Sequence, residues 1–259
     1  MKKYIFLVLM FLPVLAYADD NPMGLYKDNY ILFGDNKDQV KFVISAEYRV
    51  SHSFETNWLK NFYVAYTQVS WWKVYNNADT FSSNYQPEIF YRLDLKKDSP
   101  KGNIFEKIDY IQLSPIYHSS TGTEGSDHRS VNEYYAQIQS SMGAVHNFGL
   151  NLKLFGYWYK NPNNKDINKY RDNYESDLFY KYKYEEKDVI YNAYEIHIRN
   201  TGNPFDKGYY MLEGALQLLH TLPKIKPKIF VQYCGGYGVN MVEYNIKKRE
   251  FRVGLIFTR

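Results

Sequence analysis

The sequence predicts an all-β protein: a twelve-stranded antiparallel β-barrel built to cross a membrane. Three observations predict it. Aromatic residues make up 19% of the 259 residues, with 28 Tyr, 16 Phe and 4 Trp, yet the mean hydropathy is −0.54. So much aromatic surface in so polar a chain suits a barrel wall, where one strand face meets lipid, the other meets a polar interior, and aromatics form girdles at both interfaces. Second, segments of about ten residues alternate apolar and polar side chains, the period of a half-lipidic strand. Third, short turns and longer polar loops alternate along the chain, as they do on the two sides of such a barrel.

The first residues, MKKYIFLVLMFLPVLAYADD, stand apart from this pattern. Lys2 and Lys3 form a basic start, Tyr4 to Leu15 an apolar run, and Ala16-Tyr17-Ala18 a small-x-small cleavage site. This is the pattern of a secretory signal peptide, too short for a membrane helix. Residues 1–18 are expected to be removed, leaving 19–259 as a single barrel domain. No later stretch approaches the roughly 18 consecutive apolar residues of a membrane helix.

Twelve strand candidates follow: 26–34, 39–51, 60–73, 85–96, 107–118, 131–143, 146–160, 173–185, 187–199, 208–221, 227–238 and 241–257. In 150–158, Leu150, Leu152, Leu154 and Trp158 share one face and Asn151 and Lys153 the other, because residues two apart on a strand point the same way. In 177–184, Leu178, Tyr180, Tyr182 and Tyr184 oppose Asp177, Lys181 and Lys183. Near the end, Phe251, Val253, Leu255 and Phe257 oppose Glu250, Arg252 and Gly254, with Ile256 an apolar exception. The segments 143–146, 185–188 and 221–226 read as short turns, and 74–84, 119–130, 161–172 and 200–207 as long polar loops. The connection 97–106 is long for the turn side. With both termini periplasmic, the strand count is even and 107–118 runs outward. After Phe257 come Thr258 and Arg259, where barrels of this kind commonly end on an aromatic.

Charge and cysteine content narrow the classes. A net charge of +4 is too mild to imply nucleic acid. Cys234 is alone, which excludes an intramolecular disulfide and reads as a packed small residue. Asn161, Asn163, Asn164 and Asp166 lack the glycine and terminal glutamate of an EF-hand and read as a solvated loop. Trp71, Trp72 and the many tyrosines read as interfacial belt residues.

The polar chemistry concentrates in IYHSSTGTEGSDHRSVNEYYAQI. His118 and Ser120 lie two apart, and Asn132 follows fourteen residues after the His. The loop between is long enough to return the chain and set Asn132 beside His118. A hydroxyl, an imidazole and an amide carbonyl to orient the imidazole are the parts of an acyl-transfer triad. A His or Ser at a strand end is, alone, an ordinary rim residue. Their joint spacing with Gly122 and Asn132 is what marks a site. Parity sets Asn132 with Tyr134, Ala136 and Ile138, facing lipid, and Glu133, Tyr135, Gln137 and Gln139 facing inward. His118 shares parity with Ile116, but also with Ser114 and Gln112. A bulge at Pro115 would return Ile111 and Leu113 to the lipid face.

These residues resemble the outer membrane phospholipase A family, whose pattern is His-x-Ser-x-Gly with an Asn fourteen residues after the His. The resemblance spans nearly the whole mature chain. It is strongest at Tyr66-Thr67-Gln68 with Ser70 and Trp71, at Asn84-Tyr85-Gln86-Pro87-Glu88, at Tyr117 to Gly122, at Asn132, and at Tyr237-Gly238 with Glu243-Tyr244-Asn245. It implies a twelve-stranded barrel in the bacterial outer membrane. The implied activity is calcium-dependent hydrolysis of phospholipid acyl esters, in a homodimer with active sites at the subunit interface. By position, Ser120 resembles the nucleophile, His118 the base and Asn132 the residue that orients it. The Gly122 amide would be one oxyanion donor. The family's calcium ligands fall at the carbonyl of Thr123 and at His128, where the family has Ser. Calcium prefers oxygen, so the His128 carbonyl, or Ser126, Asp127 or Glu124, are alternatives to the His128 ring. The partner subunit's ligand falls in 76–83, with Asp79, Thr80 and Ser82 as candidates. Gln68 matches a residue buried at the family's dimer contact, with a lumenal place as the alternative.

Two readings without chemistry compete: a passive channel or adhesion barrel, and a soluble periplasmic β-protein. A channel has no use for a His–Ser–Asn cluster facing lipid. A soluble protein does not explain one-sided aromatic and leucine faces.

Overall fold

The computed structural model describes residues 22–34, 40–50, 57–73, 79–98, 107–121, 125–186, 189–203, 206–217 and 227–257. The expected signal peptide, together with Gly122, Thr123 and Glu124, lies outside these residues. The described strands are β1 (Met23–Gly24), β2 (Asn29–Gly34), β3 (Val40–Arg49), β4 (Phe62–Lys73), β5 (Asp79–Asp94), β6 (Ile108–Thr121) and β7 (Ser130–Met142). They continue as β8 (His146–Lys160), β9 (Tyr174–Glu186), β10 (Val189–Thr201), β11 (Tyr209–Gln217), β12 (Lys228–Gly236) and β13 (Lys248–Phe257).

Each strand from β2 to β13 pairs antiparallel with its sequence neighbours, and β13 pairs with β2 to close the ring. The barrel therefore has twelve staves and no open edge, which removes the unpaired backbone that lipid cannot satisfy. The short β1 prolongs β2 along β3. Met23 faces Tyr48 and Tyr30 faces Val43, so the first stave runs seven residues against five and is broken at Leu25–Asp28.

Alternation decides which side chains face lipid. Leu113, Ile116, Tyr134, Leu154, Leu178 and Ile198 are exposed on the outer wall. Glu133, Gln112, Arg252, Gln232, Glu195 and Lys228 are buried inside. The interior charges are held in pairs, as buried charges must be. Arg92 grips Glu47 through two hydrogen bonds of 3.0 and 2.7 Å. Glu195 is paired with Lys228 and, at 3.0 Å, with Lys181. Lys41 donates to Gln232 at 2.9 Å. A lumenal cavity of about 1090 Å³ remains, but Val131, Ile167, Met241 and Tyr244 form a buried apolar cluster at the end that carries the long loops. Ile167, Met241 and Tyr244 of that cluster line the cavity at this end.

Several boundaries differ from the expected ones. The segment 79–84 joins β5 instead of the loop before it, because Asp79–Asn84 pair with Val69–Lys73. The strand expected over 107–118 runs on to Thr121, paired with β5 and β7. The strand expected from 241 begins at Lys248. Gly238 takes φ +76°, Asn240 Oδ1 accepts from the Val242 amide, and Met241 and Tyr244 turn into the buried apolar cluster. The loop 161–172 also departs from its solvated reading. Asn164 and Ile167 are buried, and Tyr244 donates to Asp166 across the mouth.

Candidate active site

β6 and β7 place the three sequence-predicted residues. His118 stands directly opposite Asn132, and Ser120 opposite Ser130. On the other side, Ser120 faces Tyr85 of β5. The register slips between Ser114 and Tyr117, the bulge expected at Pro115. Before it, Gln112 and Ser114 face inward and Leu113 is exposed; after it, Tyr117, Ser119 and Thr121 face inward. The bulge thus turns His118 and Ser120 to the same side as Leu113 and Ile116. All three candidate residues are half-buried on the outer wall.

His118 Nδ1 lies 2.5 Å from Asn132 Oδ1. A carbonyl oxygen can only accept, so Nδ1 donates and the Nε2 lone pair is left for a substrate or nucleophile proton. Ser120 sits about 7 Å further along the same face at the ordinary strand rise. No hydrogen bond joins it to His118 among the described residues. Such contacts are commonly loose before substrate arrives.

The inward residues behind the site are firmly held. Ser119 donates to Asn84 Oδ1 at 2.8 Å and touches Met241 Sδ at 3.5 Å. Glu133, next to Asn132, is fully buried and accepts from Arg171 Nη1 at 3.0 Å. Lys153 Nζ lies 3.6 Å from the other oxygen of Glu133. Nothing in the spacing of Glu133, Lys153 and Arg171 marks them as neighbours of the site. Only the inward parity of Glu133 hints at it.

The expected calcium positions are unevenly placed. Thr123 falls outside the described residues. Thr80 pairs with Trp72 at the start of β5, and its side chain is outside the description. Asp127 is exposed at the end of the single turn Gly125–Asp127, which Gly125 enters at φ +66°. The His128 carbonyl accepts from Asn163 Nδ2 at 3.2 Å and Arg129 Nη1 at 3.1 Å, so both its lone pairs are engaged. Among the described residues no group of three acidic, His or Cys side chains is arranged to hold a metal ion. Calcium takes six to eight oxygens. The donor chemistry therefore fits a hard cation at Asp127 and does not fit one at the His128 ring. Gln68 is half-buried on the outer wall, beside exposed Tyr66, with its side chain tied to Tyr66 and Ser70. That excludes the lumenal alternative for it.

The sequence matches the phospholipase A1 family over residues 4–257. A phospholipase A1 of Klebsiella pneumoniae is 25% identical over 267 residues, covering 93% of this chain and 85% of its own length. The phospholipase A1 of Escherichia coli is 24% identical over 265 residues, covering 92% and 82%. A protein of Neisseria meningitidis serogroup B is 27% identical over 87% of this chain, which spans only 56% of that relative's length. Among solved structures, the outer membrane phospholipase A of Escherichia coli superposes with a TM-score of 0.72 at 19% identity, covering 91% of this chain and 98% of the other. The Salmonella typhi outer membrane phospholipase dimer with bound calcium gives 0.73 at 18% identity, covering 96% and 97%. At these identities the structural likeness is one of fold. The chain is a bacterial outer-membrane β-barrel and belongs to the phospholipase A1 family.

Proposed function

We propose that this chain hydrolyses acyl esters of phospholipids and lysophospholipids that lie in the membrane against its outer wall. The observation that carries the reading is the His118–Asn132 hydrogen bond of 2.5 Å on the lipid-facing side. Ser120 Oγ attacks the acyl carbon while its proton passes to His118 Nε2, since a free serine hydroxyl is a weak nucleophile. The ester C–O bond breaks, and the departing alcohol takes that proton. Water then attacks the acyl-serine, giving its proton to His118, and the fatty acid leaves as Ser120 Oγ regains it. Asn132 holds the imidazole tautomer without a charge, so it stabilises the imidazolium less than an aspartate would. The Gly122 amide supplies an oxyanion donor, typically worth about 3–4 kcal/mol.

Calcium belongs to this reading because the Salmonella typhi relative is solved with it bound. When bound, it supplies Lewis-acid polarisation of the developing oxyanion. Thr123, Asp127 and Thr80 are the positions proposed for it, with Asp127 the hard anionic donor and Thr80 given by a second copy; His128, the fourth expected position, has its carbonyl engaged and a ring that does not suit calcium. A homodimer is part of the same proposal, with Gln68 on the contact face, as is delivery by the signal peptide 1–18.

The test is fatty-acid release from phospholipid micelles by detergent-refolded protein, with calcium and with chelator, beside Ser120→Ala. Calcium-dependent release that the variant lacks supports the reading. No release from folded, dimeric wild type discards it.

A further inference from the structure

We propose that Arg171 and Glu133 are positioning residues for Asn132, and that they tie the loop after β8 to the catalytic pair. The inference rests on the triad reading above.

The outer pair His118–Asn132 has an inner counterpart one residue away. Tyr117 and Glu133 are also directly opposite each other on β6 and β7. The Tyr117–Glu133 pair sits between two ladder faults and His118–Asn132 just past the second: the register slips before Tyr117 on β6, and between Asn132 and Glu133 where β7 meets β8. At a bulge, ladder hydrogen bonds fix the backbone less well. A side-chain anchor is the remaining way to hold the site within the fraction of an ångström that catalysis demands.

The inner pair supplies that anchor. Glu133 is fully buried. One carboxylate oxygen accepts from Arg171 at 3.0 Å, and the other lies 3.6 Å from Lys153. The same Lys153 ammonium stands 4.8 Å from the Tyr117 ring centre, so one cation touches the inner neighbours of both His118 and Asn132. Arg171 ends the helical turn Asn168–Arg171 and reaches into the barrel mouth. Its other guanidinium nitrogen is held by Glu175 at 2.8 Å, and its stem packs against the φ +76° residue Gly238. The Glu133 carboxylate is thereby held by one hydrogen bond from Arg171 and one longer ion pair with Lys153, and through one backbone step it anchors the Asn132 amide. Removing Arg171 leaves Glu133 buried with Lys153 alone, so β7 shifts to rehydrate it, and Asn132 moves with it.

The experiment measures kcat and KM for Arg171→Met in wild type and in an Asn132→Ala background, after confirming folding by heat-modifiable mobility on gels. The expected result is a loss in kcat of about tenfold or more in wild type with KM little changed. In the Asn132→Ala background the same substitution has no further effect, because the group it positions is absent. Arg171→Lys recovers most of the loss. If Arg171→Met fails to fold, Arg171→Gln is taken through the same cycle. An equal loss in both backgrounds, or no loss in wild type, overturns the inference. Ser120→Ala runs beside it: an active Ser120→Ala overturns the triad reading itself, whereas an inactive one beside a fully active Arg171→Met overturns the positioning role alone.

Discussion

Asn163, on the loop after β8, donates from Nδ2 to the carbonyl of His128 at 3.2 Å and to that of Gly125 at 3.1 Å. Both hydrogen bonds cross to the loop that follows the candidate nucleophile. A segment that reads as solvated polarity in the sequence is therefore the brace of the proposed calcium loop. Each such bond contributes about 1 kcal/mol net. Asn163→Ala is expected to raise the calcium concentration for half-maximal activity about fivefold, with little change in barrel stability. Calcium titration of fatty-acid release, read beside guanidinium unfolding, checks it. An unchanged calcium requirement counts against the brace.

Two triad variants separate the nucleophile from the orienting residue. Ser120→Ala is expected to lose activity by about a thousandfold or more, since no nucleophile remains. Asn132→Ala keeps nucleophile and base and loses only orientation, so kcat falls by about ten- to a hundredfold. Steady-state kinetics on one micellar substrate measure both. Equal losses for the two would mean that Asn132 does more than orient His118.

The bulge at Pro115 sets the facing of the site, and deleting that residue tests it. One residue fewer in β6 forces either Leu113 inward or His118 and Ser120 inward. Activity is expected to vanish while part of the protein still inserts. A single cysteine placed at 118 in that deletion, probed with water-soluble and lipid-soluble thiol reagents, reports which half turned. Full activity in the deletion would show that the bulge migrates.

Arg92 and Glu47 form a buried bidentate pair, with the guanidinium 4.3 Å from the Tyr63 ring centre. Arg92→Met removes the bidentate cation from the buried Glu47 carboxylate, at a cost of about 3–5 kcal/mol. Arg92 faces Gln112, roughly 20 Å down β6 from His118 at the usual rise. Guanidinium midpoints should fall while the kcat of the folded fraction stays within about twofold. A kcat loss with stability intact would reverse that expectation.

The site was legible in the sequence to the extent that it obeys local rules. Strand parity alone put Asn132 beside Tyr134 and Ile138 on the lipid side, and it stands there. The two-residue spacing of His118 and Ser120 needed only that 118–120 be strand, and β6 extends through both. Pro115 announced the bulge because proline cannot donate to a ladder. Strand ends were less legible. Asp79–Asn84 and 241–247 both depart from expectation, because the first finds partners on β4 and the second folds its Met241 and Tyr244 into a buried apolar cluster with Val131 and Ile167.

By itself, then, the sequence determined the barrel, its inside and outside, and the residues of the candidate triad, because period-2 alternation and short spacings act within one strand or between adjacent ones. Tertiary structure alone decided the rest. The pairing of Glu133 with Arg171 and Lys153, the grip of Asn163 on the loop before β7 and the apolar cluster of Val131, Ile167, Met241 and Tyr244 join residues that no periodicity relates. Curvature and closure of the sheet bring them together, and burial then makes each charge and amide find whatever partner the closed ring leaves within reach.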